Sequence, residues 1–152
     1  MNDQAPTRMG GTVLAFDFGT RRIGVAVGER ETGTAHPLET IEAEDNLTRF
    51  ARIGAMLQEW RPVELVVGLP VFMDGTTHEM TLRCQRFANQ LRGRYNLPVH
   101  FADERLTSAD AATRLFEAGG SRFDKAAIDA LAAQRILLDH LARTDAMNHD
   151  AT

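Results

Sequence analysis

Short apolar runs separated by turn-forming residues open the chain and predict three consecutive β-strands. The first run, Thr12–Phe18, leads into a turn over residues 19–22 and a second run over residues 23–29. A third extended segment, at residues 34–41, follows Gly33. Three strands without a helix between them favour an antiparallel meander.

Helical periodicity and short strand-like runs alternate along the rest of the chain. The predicted elements are, in order, a helix at residues 45–60, a strand at 64–68, a helix at 77–95, a strand at 99–102, and helices at 107–118 and 124–143. Asp45 is the expected N-cap of the first helix, and Leu47, Phe50, Gly54 and Leu57 are expected to share its apolar face. This order predicts an α/β fold: a mixed five-stranded sheet, antiparallel in its first three strands, with parallel additions and flanking helices.

The length and apolar content of the chain are those of one globular domain. With 152 residues and 43% hydrophobic residues, a single core is expected, and we predict one domain over residues 11–143 with flexible tails at 1–10 and 144–152. No apolar run approaches the about 20 residues of a membrane span, and the N-terminus lacks the layout of a signal peptide. Cys84 is the only cysteine, which excludes a disulfide within the chain. We therefore expect a cytoplasmic protein without a membrane partner.

The charge of the chain leaves its substrate open. A net charge of −4 argues against a generally basic nucleic-acid binder. Lys125 is the only lysine, so nearly every cationic side chain is arginine, which forms bidentate bonds with phosphate. Codon usage in a GC-rich genome explains the same bias.

Three carboxylates lie in settings that favour a metal site. Asp17 interrupts the apolar run AFDFG, where a carboxylate is costly unless it is paired, ligated or capping the turn. Glu104 directly follows the fifth predicted strand, and Asp129 lies one turn into the last predicted helix. An ion pair with Arg105 would explain Glu104, and the helix dipole would explain Asp129. Together the three acids are the arrangement that holds Mg²⁺ or Mn²⁺.

Four sequence blocks resemble the YqgF (RuvX) family of RuvC-like nucleases. They are VLAFDFGTRRIGVAVGE, VVGLPVFMDGT, FADERLTSADA and DKAAIDALAAQRIL, in this order between Val13 and Leu138. The resemblance implies a ribonuclease-H-like fold, a bacterial cytoplasmic location and maturation of the 5′ end of pre-16S ribosomal RNA. An older label for the family is Holliday-junction resolvase homologue.

The resemblance also implies which residues form the site. It assigns catalysis and the binding of Mg²⁺ or Mn²⁺ to Asp17, Glu104 and Asp129. The expected rim of the site is Gly19, Thr20, the Gly68-Leu69-Pro70 segment and the Asp74-Gly75 loop. Positions 126 and 132 are alanine, whereas resolvases with four carboxylates carry a second acid on this helix. That departure argues against a strict two-metal site and against junction resolution.

Arginines are the candidate contacts to substrate phosphates, although ordinary solvated surface explains them equally well. They are Arg21, Arg22, Arg105, and Arg83, Arg86 and Arg94 on one flank of the second predicted helix. The expected reaction is metal-assisted hydrolysis that leaves a 5′-phosphate and a 3′-hydroxyl. Structured RNA is the favoured substrate, branched DNA is the alternative, and ribosomal precursor particles are candidate partners.

Two other classes of function stay open at this point. The segment D-F-G-T also resembles the first phosphate loop of the sugar-kinase, actin and Hsp70 superfamily, whose members bind ATP between two domains. One domain of this length, without a second D-x-G loop, argues against that interpretation. The other alternative is a non-catalytic nucleic-acid-binding module, and the presence of all three acids argues against it.

Overall fold

The computed structural model describes residues 10–72, 79–106 and 122–150. Within these ranges the chain forms five strands and three helices. They are β1 (Thr12–Phe18), β2 (Arg22–Glu29), β3 (Thr34–Glu42), α1 (Asn46–Trp60), β4 (Glu64–Phe72), α2 (Glu79–Tyr95), β5 (Val99–Leu106) and α3 (Arg122–Asp150). The helix predicted at residues 107–118 lies outside the described residues. No helix in the described ranges is long and apolar enough to cross a membrane.

The strands form one sheet in the order β3-β2-β1-β4-β5. β1 pairs antiparallel with β2, and β2 pairs antiparallel with β3. β4 adds in parallel to β1, and β5 adds in parallel to β4. This arrangement confirms the predicted α/β class and the mixed, ribonuclease-H-like sheet.

The two faces of the sheet have separate cores, because successive side chains of a strand point to opposite sides. One face carries large side chains such as Phe16, which meets Phe87 of α2 edge to face at 5.8 Å between ring centroids. Phe50 of α1 belongs to the same core. The other face carries small residues, Ala15 and Ala26 among them, and α3 covers it.

Glycines allow α3 to lie very close to its face of the sheet. A Cβ atom added to Gly24 of β2 would lie 2.0 Å from the carbonyl oxygen of Asp129. A Cβ atom added to Gly68 of β4 would lie 2.5 Å from Cδ1 of Ile136. The atoms next to Gly24 belong to the helix backbone and cannot rotate away, so this glycine sets the height of α3 above the sheet. The atom next to Gly68 is the end of a side chain, which can adjust.

The predicted boundaries of α1 are confirmed. The carboxylate of Asp45 accepts hydrogen bonds from the backbone N–H and the hydroxyl of Thr48, at 2.8 and 2.7 Å, as an N-cap does. The helix ends at Trp60, and its C-cap, Arg61, takes the left-handed backbone conformation immediately before Pro62. The N-cap at Asp45 therefore fixes where α1 begins after β3.

Both parallel strands at the sheet edge are longer than predicted. β4 was expected to end at residue 68 and β5 at residue 102, but the two remain paired as far as Phe72 and Leu106. Mutual pairing satisfies the backbone groups that a loop would expose to water. Glu104 therefore lies inside β5 and not after it.

The last helix is also longer than predicted. α3 continues to Asp150, past the expected end near Arg143, because no glycine or proline interrupts residues 144–150. Thr144 joins this extension to the rest of the domain, since its hydroxyl accepts a hydrogen bond from Arg30 at 2.9 Å. The segment predicted as a tail from residue 144 is therefore helical as far as Asp150.

A buried ionic cluster lies at the start of β4, at the end of the sheet remote from Asp17. Glu64 is 8% exposed and forms an ion pair with Arg30, and its Oε1 lies 3.0 Å from Nε2 of His100. The ring of His140 stacks on that of His100 at 5.4 Å. Burial raises the pKa of Glu64, but the interactions with His140 and Arg30 outweigh it and hold the pKa below its ordinary value.

Glu64→Gln is expected to destabilise the protein by about 2 kcal/mol at pH 7, because charge-assisted bonds in a buried setting are lost. A carboxyl with a depressed pKa stabilises the fold above its unfolded pKa of about 4.3, and that stabilisation is lost as pH falls through the folded value. Urea unfolding at pH 7, 5, 4 and 3 measures the difference in free energy of unfolding between wild type and Glu64→Gln. This difference should shrink below about pH 4.3. The matched control, Glu59→Gln on the exposed side of α1, should change stability by less than about 0.5 kcal/mol. A difference as large at pH 3 as at pH 7 would contradict the assignment.

Candidate functional site

A cleft of about 360 Å³ opens at the carboxyl end of β1, where the turn into β2 meets α3. Asp17 and Phe18 of β1, residues 19–22, Met80 of α2 and Asp129 of α3 form its walls. Two of the three predicted acids therefore share one cleft. The protein brings them together from positions more than a hundred residues apart along the chain.

Strand alternation and a glycine position these two acids. Asp17 is two residues after Ala15 on β1, so both side chains lie on the same face of the sheet, the one that α3 covers. Its cross-strand partner in β2 is Gly24, and Asp129 lies directly over that glycine. The carboxylate of Asp17 thus comes from the sheet and that of Asp129 from the helix above it.

Asp129 forms an ion pair with Arg22. Nε of Arg22 lies 2.6 Å from Oδ2 of Asp129, and the two side chains are 34% and 25% exposed. Partial exposure screens such a pair, so its contribution to stability is modest. Arg22 was predicted to contact substrate phosphate, and in this structure its guanidinium neutralises Asp129.

Glu104 lies on the same face of the sheet as Asp17, two strands away. It pairs in register with Pro70 of β4, the strand between them. Gly68 leaves that intervening strand without a side chain, and Cδ of Glu104 lies 3.8 Å from where a Cβ of Gly68 would be. Asp103 is exposed on the opposite face, as the alternation predicted.

The pKa of the Cys84 thiol is affected by the negative charges of Asp17 and Glu104, the two acids that lie on strands. It is 1% exposed on α2, and burial raises its pKa to about 12, with the carboxylates of Asp17 and Glu104 adding to the shift. Both carboxylates therefore lie within electrostatic range of one side chain. A thiol with this pKa stays protonated at neutral pH, which rules out Cys84 as a nucleophile.

The three acids do not form a ready-made ligand set. Within the described residues, no group of three or more His, Cys, Asp and Glu side chains is placed to hold a metal ion. Asp129 is engaged by Arg22, while Glu104 approaches from beside Gly68. The donor type is nevertheless suitable, because carboxylate oxygens are the ligands that Mg²⁺ and Mn²⁺ prefer.

The predicted rim residues divide into two groups. Gly19, Thr20 and Arg21 line the cleft, and the last two are exposed. Gly68 and Pro70 belong to β4 and share a face with Glu104. Leu69 does not, because strand alternation turns it to the core of α1 and α2. The Asp74-Gly75 loop lies outside the described residues.

The predicted arginine contacts are spread along α2. Arg83 lies one turn beyond Met80 and forms an ion pair with Glu79, with Nη2 2.6 Å from Oε2. Arg86 is exposed on the next turn. Arg94 lies near the far end of the helix, with its guanidinium 4.1 Å from the ring centroid of Phe50. The side chain of Arg105 lies outside the described residues.

Sequence analysis missed Arg49, the buried cation next to the cleft. It is 4% exposed on α1 and donates hydrogen bonds to the carbonyl oxygens of Gly19 and Thr20. The helical spacing that selected Phe50 as a core residue puts Arg49 at the edge of that face. A charged residue at such an edge is usually solvated, so no sequence pattern indicates that Arg49 is buried.

The sheet order and the acidic cleft define the class of this protein, a small α/β domain of the ribonuclease-H-like kind. The chain belongs to the RuvX family: its residues 11–143 match the family described as "RuvX: Holliday junction resolvase".

Relatives at high identity agree with this membership. A protein of Dechloromonas aromatica, named "Putative pre-16S rRNA nuclease", is 59% identical over 84% of this chain and 88% of its own length. A protein of the same name from Methylobacillus flagellatus is 53% identical over the same shares of the two chains. Among solved structures, that of Thermus thermophilus RuvC in complex with a Holliday junction substrate is 17% identical to this chain, with a TM-score of 0.42. The match covers 70% of this chain and 72% of RuvC.

Proposed function

We propose that this chain is an endonuclease that hydrolyses phosphodiester bonds in nucleic acid, with the 5′ end of pre-16S rRNA as its substrate. The cleft carries the proposal, because Asp17 and Asp129 lie there beside Arg21 and Arg22. Carboxylates and guanidinium groups within one cleft can act on the same phosphate. The names of the relatives favour pre-rRNA over branched DNA. We expect the protein to act in the cytoplasm, on ribosomal precursor particles.

We propose Mg²⁺ or Mn²⁺ as the cofactor, held by Asp17, Glu104 and Asp129. The three donors suit a hard cation, and the carboxylate of Glu104 lies beside Gly68 on the strand between the two strand acids. Asp129 can join them once Arg22 releases it. A bound divalent cation supplies Lewis acidity, which polarises a phosphoryl oxygen and lowers the pKa of water.

The residues of the chain favour water as the nucleophile. Cys84 is buried and protonated, so no thiolate is present to attack phosphorus. Asp17 and Glu104 can accept hydrogen bonds from a water molecule and orient it. The exposed side chain of Arg21 can bind non-bridging phosphate oxygens at the rim of the cleft. Water attack with departure of the 3′-oxygen leaves a 5′-phosphate and a 3′-hydroxyl.

Direct cleavage assays test the proposal. The purified protein is incubated with end-labelled pre-16S leader RNA, an unrelated single-stranded RNA and a four-way DNA junction, in Mg²⁺, Mn²⁺ or EDTA. We expect cleavage of the leader RNA at a defined position, only with divalent metal. A parallel preparation of Asp17→Asn controls for contaminating ribonuclease. Preferential junction cleavage, or RNA binding without cleavage, would contradict the proposal.

Divalent metal is expected to raise the Tm of the protein by a few degrees, because the ion binds the folded state preferentially. A ligand at ten times its Kd adds about 1.4 kcal/mol, and each kcal/mol shifts the Tm of a domain of this size by about 2–4 °C. Thermal unfolding with MnCl₂ or EDTA, without nucleic acid, measures the shift. Asp17→Asn should lose most of it, and the matched control Asp103→Asn should retain it. An equal shift in wild type and Asp17→Asn would show that Asp17 is not a ligand.

A further inference from the structure

Arg49 is a buried cation whose hydrogen bonds go to backbone carbonyl groups. Its Nη2 donates to the carbonyl oxygens of Gly19, at 2.8 Å, and Thr20, at 2.6 Å, and its Nε donates to that of Ala43 at 2.5 Å. The guanidinium lies over the ring of Phe18, 5.2 Å from the centroid. One side chain of α1 thus holds two consecutive peptide groups of the turn between β1 and β2.

Burial of this charge is unfavourable and needs an explanation. Burial lowers the pKa of Arg49, against the opposing effect of the nearby charges of Glu44 and Asp45. A guanidinium bound to carbonyl oxygens lacks the full compensation that a bound carboxylate would give. An apolar side chain would pack α1 against the sheet at lower cost. The arginine is therefore explained by the turn that it holds.

The bonds from Arg49 determine which way the amides of the turn point. In a trans peptide the C=O of one residue and the N–H of the next point in opposite directions. Since the carbonyl groups of Gly19 and Thr20 point to Arg49, the N–H groups of Thr20 and Arg21 point away from it. Arg49 and Phe18 lie on one side of the sheet, whereas Asp17 faces the other.

Gly19 makes the turn tight. A Cβ atom added there would lie 2.6 Å from the carbonyl oxygen of Arg22, so no other residue fits this backbone path. Thr20 and Arg21, which follow it, are exposed and line the cleft. Two successive N–H groups that both point away from Arg49 are available as donors to an anion.

We infer that Arg49 is a positioning residue, which fixes the β1–β2 turn so that the amides of Thr20 and Arg21 bind a backbone phosphate of the nucleic-acid substrate. The inference rests on the proposed function only for the class of substrate. Arg49 does not itself contact the phosphate. Its charge orients neutral donors next to Asp17, and those donors hold the substrate strand in register with the acids.

The first test uses the wild-type protein in EDTA and needs no cleavage. ¹⁵N-labelled protein is titrated with inorganic phosphate and then with a short single-stranded RNA from the pre-16S leader. The amide resonances of Thr20 and Arg21 should shift with both probes, and that of Gly33, in the turn between β2 and β3, should not. Equal shifts in both turns would indicate non-specific anion binding, and unmoved Thr20 and Arg21 amides would also overturn the inference.

The second test compares Arg49→Met with Arg52→Met. Arg52 lies one turn along on α1 but is exposed and paired with Glu39, so the control removes the same charge from the same helix. Arg49→Met should weaken metal-free binding of the leader RNA by about tenfold and lower kcat as well. The slope of log affinity against log salt should not change, because no cation is removed from a phosphate. Arg52→Met should match wild type, and Arg49→Lys should recover part of the affinity.

Two results of the second test would overturn the inference. One is a lower Tm for Arg49→Met with unchanged Kd and kcat well below that Tm, which would make the residue purely structural. The other is a salt slope flatter by about 0.7, which would mean that Arg49 contacts phosphate directly. If Arg49→Met does not fold, Arg49→Lys and the wild-type titration decide. Failure of the proposed function is distinguishable, because it removes Asp17-dependent cleavage and leaves the metal-free binding results intact.

Discussion

Glu104→Gln is expected to reduce the rate of RNA cleavage by about 1,000-fold or more, while Asp103→Asn leaves the rate within about twofold of wild type. The two residues are neighbours on β5, and each variant removes one negative charge. Their side chains lie on opposite faces of the sheet: Glu104 shares a face with Asp17, and Asp103 is exposed on the other. A thousandfold loss corresponds to about 4 kcal/mol of transition-state stabilisation.

Single-turnover cleavage at saturating RNA separates this effect from substrate binding. Fluorescence anisotropy in EDTA should show that Glu104→Gln binds the leader RNA as tightly as wild type or slightly more tightly, since a charge that repels phosphate has been removed. Unfolding in urea checks that both variants fold. Equal losses of activity in the two variants would locate the effect in the overall charge of β5 and not in the proposed site.

The sheet could be predicted because its signals are local. Alternating apolar runs, the turn at Gly19 and the absence of helices before Asp45 are all read within a few residues. The ends of β4, β5 and α3 could not be predicted in this way. Their extra residues are stabilised by partners elsewhere, such as the pairing of Phe72 with Leu106 and the bond from Arg30 to Thr144.

Helical periodicity was misleading at the edges of α1. Leu47 was expected on the apolar face and is 84% exposed, whereas Arg49 is 4% exposed. Leu47 lies in the first turn of the helix, and the buried residues of α1 are Arg49, Phe50, Ile53 and Met56. Arg49 is buried because the turn after β1 supplies carbonyl groups for its guanidinium. Spacing alone cannot specify a hydrogen-bond partner thirty residues away along the chain.

The residues of the candidate site could be selected from the sequence, but their geometry could not. Asp17 was conspicuous because it interrupts an apolar strand, and Glu104 and Asp129 were selected by their settings and by the family blocks. The pairing of Asp129 with Arg22 joins residues 107 positions apart, and no local pattern signals it. The closeness of α3 to β2 depends on Gly24, which in the sequence is one glycine among 12.

Gly24→Ala is therefore expected to be among the most damaging single-methyl changes in this protein. The added Cβ would have to lie 2.0 Å from the carbonyl oxygen of Asp129 and 3.0 Å from the amide nitrogen of Ala130. Both are backbone atoms of a helix, so no side chain can rotate away, and α3 must move off the sheet. We expect a loss of about 3 kcal/mol or more in the free energy of unfolding.

The matched control is Gly93→Ala on α2, where an added Cβ meets no described atom within 4 Å. Alanine there should be neutral or stabilising by up to about 1 kcal/mol, because glycine is unfavourable within a helix. Urea unfolding compares the two variants with wild type. Cleavage by Gly24→Ala, measured well below its Tm, should fall further than its folded fraction explains, because the movement of α3 displaces Asp129 from Asp17. If Gly24→Ala were as stable and as active as wild type, α3 could not lie on β2 as described, and Asp129 would have to be removed from the proposed site.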